Sequence, residues 1–285
     1  MLFAVAFDDH AAFDQLHAWT KRHLLRSDGL HAWRYLPNTP NPVSDPNNAS
    51  DGDIYIAAAL QRAARRWNRP DYAVAARRTA QAIHDKLLAQ VGTRLLLLPA
   101  SFGFDHPDRV VVNLSYYVLP LLVDLNGAYP SAKWEQVRQD GVAMIKAARF
   151  GRWSLPADWL DVSKATGAVT LANSFPPRFS WDAVRVPLFL AWAGEAPETV
   201  EAASAFWNHN PNPAPAWVDL RSGMVADYPV CAGVQAIGAV AGWSLSGGKR
   251  TLKIPSVAND TYYSAALTLL SRMAGTEMRA AESEV

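Results

Sequence analysis

With 27 basic and 26 acidic side chains among 285 residues, the chain has a formal charge of only +1, so it offers no electrostatic case for nucleic acid or an anionic membrane surface as partner. Half of the residues are hydrophobic and 19% are charged, a balance that builds a sizeable core and excludes a disordered chain. The single cysteine, Cys231, excludes an internal disulfide and a multi-cysteine metal site.

The chain opens on "MLFAVAFDDH", which has no basic n-region and meets two aspartates after seven residues. It reads as the end of a buried helix, not as a signal peptide. Helical periodicity then recurs at 11–25, 53–67, 71–88, 115–126, 132–149, 181–194, 231–243 and 260–275. Start signals precede several of these: Ser50 and Asp51, Pro70 and Asp71, Pro130 and Ser131, Ser180, and Asn259 and Asp260. Segments 181–194 and 231–243 are apolar nearly all round, as helices enclosed by others are, and Cys231 is expected inside the second. Strand-like pieces are few, chiefly 167–174, and proline- and asparagine-rich loops fill 35–50 and 208–217. The longest apolar run, 231–242, falls well short of the roughly 20 residues a membrane span needs.

Several chemistries find no support. There is no G-x-S-x-G elbow and no dinucleotide fingerprint, and the seven histidines show no zinc-binding spacing. "GWSLSGGKR" at 242–250 misses the phosphate-loop pattern in its glycine spacing and at Arg250, and reads as a surface turn. Eleven tryptophans and nine tyrosines suit a core and equally suit a groove where sugar rings stack on aromatic planes.

The carboxylates are more specific. In "ASDGDIYIAAAL", Ser50 or Asp51 is expected to cap the helix and Asp53 to offset its positive end. Two aspartates are more than a cap needs, and Asp51, just outside the first turn, can turn its carboxylate into a cleft. In "SWDAVRVPLFLAW", Asp182 follows Trp181 at the start of an apolar helix, one turn before Arg185. The helix end and Arg185 are both expected to favour its charged form, the state a general base needs, although taken alone an Asp–Arg pair at a helix N-terminus is the safer structural reading.

The stretch from Ala49 to Trp67 resembles the signature of family 8 glycoside hydrolases, with Gln61 departing from an aliphatic or glycine position. The likeness continues through "NLSYY" (113–117), "ADWLDV" (157–162), "SWDAVRVPLFLAW" (180–192) and "NDTYYSAALTLL" (259–270), and so covers essentially the whole chain. It implies an all-α fold, a single (α/α)6 barrel spanning residues 1–285, and hydrolysis of β-1,4-glucan with inversion, the activity of a cellulase. By resemblance Asp182 is the general base and Asp51 the carboxylate that holds the distorted sugar. Arg185 orients the base, Tyr116 lies near the reacting sugar, Trp33 stacks on a glucose ring, and Trp181 joins the substrate-binding set. No metal or organic cofactor is implied. The partner is a β-1,4-glucan, with no nucleic acid and no membrane insertion. The likeness to endoglucanases that accompany bacterial cellulose synthase implies a functional link to that complex and a periplasmic or secreted full-length protein.

The family's general acid is a glutamate in a Ser-Glu-Gly stretch on the first helix, and no glutamate precedes Glu135 here. Asp8 and Asp9 fall where a turn between helices is expected and are poor substitutes. The expectation is therefore an N-terminally truncated first helix and a chain impaired as a catalyst. A glucan-binding protein without activity, or the same scaffold acting on xylan or chitosan, are the alternatives.

Overall fold

Prolines decide where several helices can begin, because a residue without an N–H is tolerated only in the first turn. The computed structural model describes residues 1–209, 213–257 and 260–283, and the chain divides into two compact units. The first comprises Met1–Val112, Val118–Asp140 and Val162–Gly167; the second comprises Asn113–Tyr117, Gly141–Asp161 and Ala168–Val285.

In the first unit, α1 (Leu2–Ala6) buries Leu2 and Ala4. It is followed by α2 (His10–His23), where the Asp9 carboxylate caps the helix by accepting the Ala12 N–H at 2.9 Å. Asp8 turns the chain between them in a left-handed conformation and is tied to Arg66 and the Trp67 indole. Next come α3 (Ser50–Trp67) and α4 (Pro70–Lys86), which pack on each other and bury alanines at 57, 58, 63, 76 and 80. Strands β1 (Leu88–Val91) and β2 (Arg94–Leu97) form an antiparallel hairpin in register Leu88↔Leu97, turning at Gly92 with φ +58°. β3 (Arg109–Val112) follows, and α5 (Leu119–Ala128) packs on α3 and α4. The departure at Gln61 has a local counterpart: a Cβ on Gly127 of α5 would lie 3.3 Å from the Gln61 amide nitrogen, so the long side chain lies over a glycine.

Helix α6 (Lys133–Ala147) and strand β4 (Leu160–Ser163) each begin in one unit and end in the other. The second unit adds β5 (Val169–Leu171) and β6 (Arg178–Phe179), which pairs with β7 (Val218–Asp219) in register Arg178↔Asp219. Its helices are α7 (Val186–Ala193), α8 (Pro197–His209), α9 (Ala232–Leu245) and α10 (Tyr262–Ser283). Every residue of α7 from Val186 to Trp192 is buried, against α8, α9 and α10, as the all-round apolar pattern requires. Gly141 of α6 faces the buried ring of Tyr117, and a Cβ there would sit 2.3 Å from Cδ1 of that ring.

Several expected elements are corrected. The helix expected at 115–126 is a 3-10 turn (Leu114–Tyr116) followed by α5, because Pro120 confines the α-helix to a start at Leu119. Likewise 181–194 is a 3-10 turn (Ala183–Arg185) and then α7, with Pro187 in its first turn. Cys231 is not inside α9 but is its half-exposed N-cap. The last helix begins at Tyr262 and runs to Ser283; of its expected start signals, Asn259 lies outside the described residues, and Asp260 accepts the Thr261 N–H at 2.8 Å. The sequence reading missed α8, although Pro197 and Glu198 at its start and buried Val200, Ala203 and Phe206 carry a helical pattern.

Candidate active site

In the first unit the opening of α3 answers why two aspartates stand together. The helix starts at Ser50, so Asp51 and Asp53 both lie in its first turn, not before it. The N-cap is Ala49, without a side-chain cap, so neither Ser50 nor Asp51 caps the helix as expected. Residues two apart on a helix point nearly opposite ways. Asp53 therefore turns inward, 1% exposed, and Asp51 stays partly exposed with Oδ1 accepting the Gly52 N–H at 2.8 Å.

Asp53 does more than offset a helix end. Its Oδ1 accepts both the backbone N–H of His31 and Nδ1–H of the same residue at 2.9 Å, and Oδ2 accepts Asn48 Nδ2 at 2.9 Å. Burial raises its pKa above the ordinary carboxylate value, and the hydrogen bonds from His31 and Asn48 oppose the rise. Asn48 in turn accepts the N–H of Ser101 at 2.8 Å and its hydroxyl at 2.7 Å. Trp33, 49% exposed, begins the loop that returns to Asn48, and its indole Nε1–H donates to Asp45 Oδ2 at 2.8 Å.

The second unit holds Tyr116, Trp181, Asp182 and Arg185. Asp182 immediately precedes the 3-10 turn that leads into α7, its side chain 30% exposed. Arg185, three residues on, donates through Nη2 to Asp182 Oδ1 at 2.6 Å and to Ser115 Oγ at 2.8 Å. The buried Ser115 hydroxyl donates to Asn113 Oδ1 at 2.7 Å, which leaves its lone pair for Arg185. The guanidinium stands 5.9 Å from the centre of the Tyr116 ring, and Trp159 meets that ring edge-on at 6.0 Å. Trp181, 41% exposed, stacks nearly parallel to Tyr228 at 6.4 Å, and its carbonyl accepts the Tyr263 hydroxyl at 2.6 Å. Burial raises the Tyr263 pKa, keeping the phenol protonated and a donor.

Beneath this turn lies Asp158, within "ADWLDV", a residue to which the sequence alone assigns no role. It accepts the Ser180 N–H at 3.0 Å, the Ser180 hydroxyl, and the Ala183 N–H at 2.7 Å, bracketing Trp181 and Asp182 from below. Burial pushes its pKa up to about 6; Ser180 and Ala183 oppose the shift, and the neighbouring charge of Asp182 adds to it. The sign of the linkage follows. Between the unfolded value near 3.8 and about 6 the folded state keeps a proton that the unfolded chain has released, so stability falls as pH rises through this window. Asp158→Asn removes the titration and keeps acceptors for both backbone donors. Its stability relative to the parent is expected to rise by roughly 2 kcal/mol between pH 4 and pH 6.5. Urea unfolding at the two pH values measures this; a constant difference would contradict it.

The structure thus brings Tyr116, Asp182 and Arg185 together within one unit and adds Asn113, Ser115, Asp158 and Tyr263 to them. Asp51 and Trp33 stand in the other unit, linked to Asp53 through the loop that ends at Asn48. Among the described residues no group of three or more His, Cys, Asp or Glu side chains is arranged to hold a metal ion.

The sequence matches the model of the family described as glycosyl hydrolases family 8 over residues 1–277. It is 41% identical over 280 residues to a probable endoglucanase of Novacetimonas hansenii, covering 97% of this chain and 81% of that one. Among solved structures, an endo-beta-1,4-glucanase of Acetobacter xylinum aligns with a TM-score of 0.91 and 40% identity over 97% of this chain and 86% of that chain. An endoglucanase of Klebsiella pneumoniae, a family 8 glycosyl hydrolase, aligns with a TM-score of 0.88 and 33% identity over 97% of this chain and 88% of that chain. With the helical content described above, these likenesses establish the all-α (α/α)6 class, with short strands as decoration.

Proposed function

The chain belongs to family 8 of the glycosyl hydrolases, and from that premise we propose that it is an inverting endo-β-1,4-glucanase for cellulose-like glucans. The observation that carries the reading is the Asp182 carboxylate, partly open to solvent and held by Arg185, which is itself held by Ser115 and Asn113. A general base needs a lone pair aimed at water and a fixed geometry. The guanidinium occupies Oδ1, which leaves Oδ2 to take the proton of the attacking water. By the resemblance Asp51 holds the distorted sugar beside the scissile bond, and Trp33, Tyr116 and Trp181 supply aromatic surface for glucose rings.

Inversion requires a second carboxyl, the acid that protonates the leaving oxygen, about 6.5–9.5 Å from the base. The first glutamate of the 285 residues is Glu135, and Asp8 is engaged by Arg66 and Trp67. By the resemblance that acid is a glutamate in a Ser-Glu-Gly stretch, and no such stretch occurs within the 285 residues. The reading treats residues 1–285 as one catalytic domain of a periplasmic or secreted protein with a functional link to cellulose synthesis, as the resemblance implies.

Viscometry of carboxymethylcellulose tests the proposal. A version that carries a Ser-Glu-Gly helix before residue 1 is expected to lower viscosity with few new reducing ends, and the same version with that glutamate changed to glutamine to do so something like 10²–10⁴-fold more slowly. An extended protein that leaves the viscosity untouched would refute it, and cleavage of xylan or chitosan in place of the cellulosic polymer would reassign the substrate.

A further inference from the structure

The loop that begins at Trp33 closes on itself in a way that the chemistry at Asp182 does not use. The Trp33 backbone N–H donates to the carbonyl of Asn47 at 3.0 Å, while its indole N–H donates to Asp45 Oδ2 at 2.8 Å. The other oxygen of Asp45 accepts the N–H of Asn47 at 3.0 Å, so a single carboxylate joins the ring to the returning strand of the loop. Asn47 is tied to the carbonyl of Phe102 through Nδ2 at 2.9 Å and accepts the N–H of Asn48 at 3.0 Å. Asn48 then reaches buried Asp53 in the first turn of α3, the turn that carries Asp51. The guanidinium of Arg34 lies over the indole, 4.7 Å from the ring centre, a cation–π contact that restrains the ring further.

We propose that Asp45 is a positioning residue for glucan: it locks the Trp33 indole, before any sugar arrives, in a fixed orientation relative to the first turn of α3. The inference rests on the reading of Trp33 as a sugar platform given above and extends it to a residue with no sugar contact of its own. The physical reason is preorganisation. A half-exposed tryptophan free to change rotamer would have to be ordered on binding, at a cost that a ring already pinned at both its backbone and its indole does not incur. The hydrogen bonds from Asn47 and Trp33 hold the Asp45 carboxyl below the usual carboxylate range, so it is an ionised acceptor at neutral pH, and a charged acceptor makes the stronger bond to an indole N–H.

The test is calorimetric titration with cellohexaose in an Asp182→Asn background, where the ligand is not cut. Asp45→Ala is expected to weaken binding roughly tenfold with an unchanged thermal midpoint, and Asp45→Asn, which keeps an acceptor oxygen, to recover most of the affinity. In the 15N spectrum the Trp33 indole N–H resonance should move upfield in Asp45→Ala and lie close to its original place in Asp45→Asn. Should Trp33→Ala weaken binding while Asp45→Ala binds like the parent, Asp45 has no positioning role. Should Trp33→Ala bind like the parent, the platform itself is elsewhere and the proposal falls with it. A parent that takes up no cellohexaose refutes the glucanase reading, which separates that failure from the failure of the Asp45 assignment.

Discussion

Asp182→Asn is expected to lower the rate of glucan hydrolysis by about 10²–10⁴-fold in any version of the chain that cleaves carboxymethylcellulose, with KM changed little. The amide has nearly the shape of the carboxylate and still accepts from Arg185, so the chain of contacts through Ser115 to Asn113 survives. What disappears is the capacity to take a proton from water. Initial rates over a range of polymer concentrations separate the two parameters. A variant that keeps its kcat would remove Asp182 from the chemistry, and one that loses affinity alone would make it a binding residue.

The second large effect concerns stability. Asp53→Ala is expected to cost about 3–5 kcal/mol, because each buried donor left without an acceptor costs about 1–3 kcal/mol. Three donors lose their acceptor together: the His31 backbone N–H, His31 Nδ1–H and Asn48 Nδ2. Water cannot replace the carboxylate without opening the site, since Asp53 and Asn48 are 1% and 3% exposed. Equilibrium urea denaturation measures the loss, and a change below about 1 kcal/mol would show that the cluster is not what holds the start of α3. Asp53→Asn, which keeps an acceptor oxygen toward His31, should lose less.

How much of this was legible in the sequence follows from which interactions are local. Helices α2, α3, α4 and α6 could be read because their apolar stripes repeat every three or four residues, and the pairing of Asp182 with Arg185 because it spans one turn. The division of roles between Asp51 and Asp53 could not be read, since it depends on His31, more than 20 residues earlier in the chain, as the inward acceptor's partner. The capping expectation at Ser50 failed for the same reason: the first turn is anchored by distant groups, including Pro99, whose carbonyl accepts the Ser50 N–H. Asp158 lay within a quoted motif, but only the folded chain shows that it reaches Ser180 and Ala183, residues 22 and 25 positions away. The short strands carry too few residues for alternation to register, and the apolar runs around Pro120 and Pro187 continue across each proline and so mask the helix starts that their chemistry marks.

The glycine of α6 that faces Tyr117 has a consequence for anyone who diversifies this chain. Tyr117 closes the run that also contains Asn113 and Ser115, so a methyl group at position 141 would press on the segment that steadies Arg185, from a position that touches no sugar. Directed-evolution libraries should find position 141 nearly intolerant, and its rare survivors should be temperature-sensitive in catalysis before they are temperature-sensitive in folding.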